Sequence, residues 1–326
     1  MATSPTLSVL LPNYNHGQYI GEALTAMLSQ SFADFEVILV DDASTDNSLE
    51  IIQPFVQQDD RVRLVCNEQN QGAVFSLNRA LQLAQGEFIY SSAADDCVLP
   101  GFFETGIKLL RTYPQAGLCA THPAFLHDET GEIDFRTDKF FLSDQPVFVP
   151  PQELVKYLDS DGLWIAGHAS LVRRSAFVAA GGFLPDLRWH CDWFALHVVA
   201  LRHGICYTPA ALAAYRLLPN AYSASAKRRQ DQQQVIVALL NHLSSPAYAD
   251  VSAAFWRSRL LSSFGWLLLQ TVLTHPRHWT CLGKLPLVSL VRYELRKMLS
   301  AHLPPQARQL YRKYRYRRKP LSYSHR

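Results

Sequence analysis

Gly86-Glu87-Phe88-Ile89-Tyr90-Ser91-Ser92-Ala93-Ala94-Asp95-Asp96 reads as a short apolar strand running straight into two carboxylates, with Pro100 marking the start of a helix just beyond. Carboxylates at the end of a buried strand cost free energy unless something positive meets them. In an open α/β sheet, the carboxyl end of a strand is where ligands bind. A divalent metal carrying a pyrophosphate meets both conditions, because hard cations take carboxylate and phosphate oxygens. A plain polar turn after a strand is the competing reading of this segment taken alone.

Working outward, the first half alternates strand-like and helix-like runs. Residues 7–12 are a strand, and residues 17–29 have helical spacing through Ile20, Ala23, Leu24, Met27 and Leu28. Residues 35–40 form a second strand ending at Asp41-Asp42; Ser44 and Thr45 are candidate caps for a helix whose inner face is Leu49, Ile51, Ile52 and Phe55. Residues 62–66 are a third strand, 73–84 a third helix and 88–91 a fourth strand. Continuous apolar strands separated by helices predict an α/β fold: a mostly parallel mixed sheet covered by helices on both faces.

Beyond Leu118 the pattern loosens. A hairpin is expected around Glu129-Thr130-Gly131, helices over 150–158 and 175–180, a strand over 170–173, and an amphipathic helix over 192–203 stopped by Gly204. From about Ala226 the chain is helical in character. The division expected is a catalytic domain over 1–225 and a helical, basic region over 226–326. The apolar run 260–273 is too short to span a bilayer, which needs roughly 20 residues. It either packs on the main domain or lies at a membrane interface.

A chain of 326 residues, 48 % of them hydrophobic, can bury a sizeable core. Its six cysteines form no Cys-x-x-Cys pair, which argues against a structural zinc or disulfide framework and fits a reducing compartment. The N-terminal run lacks the basic segment of a signal peptide, so a cytoplasmic location is expected. Eleven Lys/Arg and one Glu between Arg292 and Arg326 give that stretch +10 of a net +3, leaving −7 on the rest. A basic stretch on an acidic body suggests an anionic partner.

Four local signals occur in order: Pro12-Asn13-Tyr14-Asn15, Val40-Asp41-Asp42-Ala43-Ser44-Thr45-Asp46, Asn70-Gln71-Gly72 with Asn78, and residues 86–96. Over about residues 5–220 this set resembles the inverting family-2 glycosyltransferases of the GT-A fold. The resemblance implies a nucleotide-sugar donor (foremost a UDP-sugar), Mg²⁺ or Mn²⁺, and a saccharide or lipid-linked acceptor used in cell-surface polysaccharide or glycolipid assembly. The donor set it implies is Pro12, Tyr14, Asp41, Asp42, Asn78, Asp95 and Arg216. Tyr14 either stacks on the base or is a core aromatic. Asp41 accepts from the base, and Asp42 supports it or faces solvent. Asn78 orders the helix opening or the ribose side, or is a structural polar group.

The family's metal motif is Asp-x-Asp followed by a further Asp. Here Ala93 stands at the first Asp and Asp95 at the second, so Asp95 with its neighbour Asp96 is the implied metal pair. In the segment from Gly181 to Trp193, the usual Glu-Asp opening a helix becomes Cys191-Asp192. Inversion needs a carboxylate to take the acceptor proton, and Asp192 is the implied general base, with a helix cap as its alternative role. His190 is a candidate metal ligand, second base or structural group, and Trp189 and Trp193 an acceptor platform or core. Tyr215-Arg216 resembles a late Tyr-Arg pair whose cation offsets leaving-group charge, without the His that often follows.

No Gly-x-Gly-x-x-Gly follows the first strand and no P-loop is present, which argues against a dehydrogenase and an ATPase. A processive synthase would carry membrane spans and Gln-x-x-Arg-Trp. A catalytically impaired nucleotide-sugar binder stays open, because Ala93 and Cys191 replace family carboxylates. No nucleic-acid module is recognisable. Peripheral attachment to the inner face of the cell membrane is expected through Leu260, Leu261, Phe264, Trp266, Leu267 and Leu268 together with the basic, Tyr-rich run 308–319.

Overall fold

The computed structural model describes residues 4–135, 142–160, 165–218, 228–258 and 260–302. The chain runs β1 (Leu7–Asn13), α1 (Gly17–Leu28), β2 (Phe35–Asp41), α2 (Ser48–Gln58), β3 (Val62–Cys66), α3 (Ala73–Leu83), β4 (Phe88–Ser91), β5 (Cys97–Val98), α4 (Phe102–Thr112) and β6 (Leu118–His127). It continues through β7 (Ile133–Asp134), β8 (Val147–Val149), α5 (Pro151–Ser160), β9 (Ser170–Arg173), α6 (Arg174–Ala179), α7 (Cys191–His203) and β10 (Ile205–Leu217). Among the described residues the α-helices that follow are α8 (Arg229–Ser244), α9 (Ala249–Arg257), α10 (Gly265–Thr274) and α11 (Leu287–His302).

The strands form one sheet in the order β3-β2-β1-β4-β9-β6-β10-β5, with β7 beside β6 and β8 beside β10. β1 pairs in parallel with both β2 and β4, while β9 runs antiparallel to β4 and β6. Successive strands β2 and β3 leave β1 on one side and β4 lies on the other. That reversal opens a crevice outside the carboxyl ends of β1 and β4, where such sheets bind ligands.

Alternation explains why the sheet is covered twice. Leu10, Ile38 and Ile89 face one core with Val74 and Ala80 of α3. Val9, Leu11, Val37 and Tyr90 face the other with Ile20 and Leu24 of α1 and Phe102 and Phe103 of α4. The inner strands are therefore apolar on both faces in near-continuous runs, as strands buried on both faces are. The expected hairpin is β6 with β7, in the register Leu126↔Ile133. Ser44 and Thr45 do not cap α2: Asp46 accepts the Ser48 N–H at 2.9 Å, and its other oxygen takes the Gly17 N–H at the start of α1 at 2.8 Å.

The helices after residue 228 do not stand apart from the sheet. Phe194 of α7 meets Tyr248 and Phe255 at centroid distances of 5.0 and 5.5 Å, and Ile236, Leu239 and Leu240 of α8 join the same buried cluster. Within the run 260–273, Leu260, Leu261, Leu268 and Val272 are buried in that cluster and Phe264 and Leu267 pack against it. The expectation that residues 260–268 present a membrane surface is thus corrected: of the six residues named for it, only Trp266 is exposed. Residues 308–319 lie outside the described residues. No helix among the described residues is long and apolar enough to cross a membrane.

Because Phe255 is wholly buried between α7 and α9, Phe255→Ala should cost about 3–5 kcal/mol. In urea the whole chain should shift as one transition followed by fluorescence and circular dichroism. Two separated transitions would mean that the helices are not coupled to the sheet.

Candidate functional site

The site begins where β1 and β2 end side by side, with Asn13 and Asp41 in register. Asn13 Nδ2 donates to Asp41 Oδ2 at 2.8 Å and to Ser44 Oγ at 3.2 Å. Ser44 returns its N–H and hydroxyl to the Asp41 carboxylate at 3.0 and 2.7 Å. Asn15, at φ 54°, takes the Thr45 N–H on Oδ1 at 2.7 Å; asparagine is among the side chains that tolerate this left-handed backbone. The two loops are stitched into one wall, and neither Asn13 nor Asn15 was singled out individually from the sequence. Pro12 is half-buried within β1, and Tyr14 is 42 % exposed, so it is not a core aromatic.

Asp42 is buried, which removes the solvent-facing alternative. Its carboxylate accepts from Asn67 Nδ2 at 2.5 Å and from the N–H groups of Gln71 and Gly72 at 2.9 and 2.7 Å, holding the turn that opens α3. Gly72 sits at φ 90°, where a side chain would be strained. Asn78, further along α3, donates to the Phe183 carbonyl at 2.7 Å and ties this wall to the second half of the chain.

Asp95 and Asp96 follow β4 and are both buried. Arg216, near the end of β10, binds them through backbone and side chain. Its N–H donates to Asp96 Oδ1 at 3.1 Å and its Nε to the Asp95 carbonyl at 2.8 Å. The rest of the guanidinium pairs with Glu22 at 2.6 Å and Asp128 at 3.1 Å and lies 4.8 Å from the Tyr19 ring centroid. The Tyr19 hydroxyl also donates to Asp128 at 3.0 Å. Arg216 is therefore a neutralised clamp on the acidic turn in this form, not a spare cation.

Burial, with the adjacent Asp95 charge, pushes the Asp96 carboxyl well above the usual range. No hydrogen bond among the described residues reaches the Asp95 carboxylate. Two all-oxygen side chains, one short of partners and one penalised for ionising, suit a hard divalent ion that completes its shell with phosphate and water. The described residues hold no ready-made group of three or more His, Cys, Asp or Glu side chains for a metal.

Asp192 stands at the second residue of α7, half-buried. It borders a small cavity that includes Ile89 and Ser91 of β4, so it shares the carboxyl end of β4 with the acidic turn. Its Oδ1 accepts the Trp193 N–H at 2.7 Å, and burial lifts its carboxyl above the ordinary range. Gly167 leaves it room: a Cβ there would lie 2.6 Å from Asp192 Oδ2. The sequence offered no signal for Gly167.

Cys191, where the resemblance leads one to expect Glu, is buried in the apolar core. His190 is enclosed by Trp193 and Phe264 at 5.6 and 5.2 Å, and burial pushes its imidazole down to about 4. The structural alternative is the one this environment fits. Trp193 packs on His197 and Phe255 at 5.0 and 5.9 Å, which gives it a core role.

The raised Asp96 carboxyl has a pH consequence. A carboxyl whose folded value lies above its unfolded one leaves the folded state holding more protons, so stability falls as pH rises from about 4. In metal-free buffer at pH 7, Asp96→Asn should therefore raise the unfolding temperature, and the gain should vanish toward pH 4. A loss of stability at pH 7 would contradict the assigned burial cost.

Residues 8–179, just over half of the chain, match the sequence profile described as glycosyl transferase family 2. Glycosyltransferase GlyG of Streptococcus pneumoniae is 42 % identical over 102 residues, covering 31 % of this chain and 34 % of its own. The putative teichuronic acid biosynthesis glycosyltransferase TuaG of Bacillus subtilis is 39 % identical over 92 residues, 28 % of this chain and 36 % of its own. The chain thus spans about a third of the length of these relatives. Among solved structures, Staphylococcus aureus TarS 1-349 with UDP-GlcNAc superposes at TM-score 0.58 with 18 % identity, covering 82 % of this chain and 79 % of that one. The mannosyltransferase PcManGT of Pyrobaculum calidifontis, in complex with GDP-Man and Mn²⁺, superposes at 0.56 with 18 % identity, covering 97 % and 85 %. The fold is the GT-A fold of these enzymes, and the chain belongs to glycosyl transferase family 2.

Proposed function

We propose that this chain is a metal-dependent inverting glycosyltransferase that moves a sugar from a nucleoside diphosphate, foremost a UDP-sugar, to the hydroxyl of a saccharide or lipid-linked acceptor. The observation that carries the reading is the shared address of two carboxylate sets: Asp95-Asp96 and Asp192 both lie at the carboxyl end of β4. One set serves the diphosphate and the other the acceptor. The UDP-GlcNAc bound to TarS and the GDP-Man and Mn²⁺ bound to PcManGT support the donor and metal. TuaG supports a role in cell-surface polysaccharide assembly. The catalytic part is assigned to residues 1–225, with 226–326 as a helical, basic region attached peripherally to the inner face of the cell membrane.

Pro12, Tyr14, Asp41 and Asp42 form the base-binding wall: exposed Tyr14 offers a stacking face and Asp41 and Asp42 hold the loops around it. Asn78 braces the ribose side against Phe183. Asp95 and Asp96 would hold Mg²⁺ or Mn²⁺, which supplies positive charge for the departing diphosphate. Arg216 fixes the turn that carries them. Asp192 takes the proton from the acceptor hydroxyl; its raised carboxyl makes it a stronger base, at the cost of protonation at lower pH.

Replacement of two family carboxylates by Ala93 and Cys191 favours a second reading, a nucleotide-sugar binder without turnover. A panel of nucleotide sugars with and without Mn²⁺ separates the two, since a binder gains thermal stability from a donor yet never releases nucleotide. Asp95→Asn should abolish Mn²⁺-dependent donor binding in calorimetry while leaving the unfolding transition in place; undiminished Mn²⁺-dependent binding sinks the metal assignment. Asp192→Asn should leave donor affinity nearly unchanged and slow transfer by about 10²–10⁴. Near-normal transfer by that variant would remove Asp192 from the role of base.

A further inference from the structure

α11 has an apolar stripe turned toward solvent. At about 100° per residue, Leu287, Val288, Val291 and Leu295 fall within roughly a quarter to a third of the helix circumference. All four are exposed, Val288 at 65 %. The helix is held instead along a neighbouring arc, where Leu290 is buried and Glu294 accepts the Trp266 N–H at 3.0 Å. Trp279 is 56 % exposed while its Nε1 donates to the Leu273 carbonyl at 3.1 Å, so an indole ring stands at the surface with its polar end satisfied.

The charge around this stripe is one-sided. Fifteen Lys/Arg and a single Glu lie between Val251 and Arg326, a formal +14, against −11 on the first 250 residues. Lys284, just before the helix, and Arg292, on it, are exposed, as is Arg277 in the preceding segment, and residues 303–326 add eight Lys/Arg with no acid. A helix with a bare apolar face, surface tryptophans and cationic flanks, yet too short and polar to span, has the composition of one that lies in the plane of a bilayer surface.

The geometry points to α11, with Trp266 beside it and Trp279 exposed at the end of α10, as the surface that docks this chain on an anionic lipid bilayer. The inference rests on the peripheral-membrane reading above and moves its contact surface from residues 260–268 to 287–295. Apolar insertion of the stripe supplies the part of binding that survives salt. The flanking cations supply the part that salt screens.

The test is flotation of the full chain with phosphatidylglycerol and phosphatidylcholine vesicles. The chain should float with the anionic vesicles, and less so at high salt. The combined variant Val288→Gln, Val291→Gln, Leu295→Gln should lose about tenfold or more in partitioning, with an unchanged unfolding transition. Nucleotide release from a donor with soluble acceptor should be unaffected, so failure of the docking idea and failure of the transferase idea read out separately. Equal flotation of variant and parent overturns the proposal. So does a parent that ignores anionic vesicles but self-associates in sedimentation through the same three residues, since a second copy would then be what covers the stripe.

Discussion

The guanidinium of Arg216 is the constraint on which the site's geometry depends. A buried cation costs several kcal/mol unless it is paired and hydrogen-bonded throughout, and here its partners come from separate parts of the chain. Glu22 belongs to α1, Asp128 follows β6, and Asp95 and Asp96 form the turn after β4. Satisfying one side chain thus fixes four segments relative to one another. The acidic turn is pinned by the Arg216 N–H and Nε, which leaves the Asp95 carboxylate available while its backbone is immobile. The same clamp limits what Arg216 can do chemically. A guanidinium already paired with Glu22 and Asp128 acts on a diphosphate only by exchanging one of them.

The second half performs the equivalent task for Asp192. The turn entering α7 contains Arg188 at φ 48°, an unfavourable conformation for a non-glycine residue. Its side chain is held by Asp231 at 2.7 Å and Gln234 at 2.8 Å, both on α8. His242 of α8 meets Asp186 at 2.9 Å, and the Tyr248 hydroxyl donates to the Ala180 carbonyl at 3.0 Å. The helices after residue 228 therefore brace the segment that delivers the candidate base. Their sequence reads as an appendage; their packing makes them part of the site's foundation.

What was legible in the sequence follows from this. β1, β2 and β4 could be read because burial on both faces demands continuous apolar runs ending in polar turns, and the acidic turn announced itself by its cost. β10 was not foreseen: Pro209 and four alanines between Ala210 and Ala214 weaken the strand pattern, and its register against β6 shifts between Thr208 and Ala213. Single-chain periodicity also cannot say which surface an apolar run meets, so Leu260, Leu261 and Leu268 passed for a membrane face. The roles of Asp42 and Arg216 depend on partners as far as 194 residues away, and no local pattern carries that information. Gly167 is silent for a related reason, since its value is the space it leaves for Asp192.

The attachment of α11 shows why an apolar face can stay bare in an otherwise well-packed chain. Glu294 receives the Trp266 N–H at the start of α10, where a carboxylate is favoured by unpaired backbone donors and the helix dipole. Gly265 makes that approach possible: it sits at φ 58°, and a Cβ there would collide with the Glu294 carboxylate. The contact of Glu294 and the buried Leu290 both fall on a narrow arc of α11's circumference. Had hydrophobic burial set its orientation, the arc carrying Val288, Val291 and Leu295 would have turned inward. A polar anchor fixes the helix while sparing its greasiest side, which is the arrangement required of an element that is ordered within the protein and still has an apolar face to offer elsewhere.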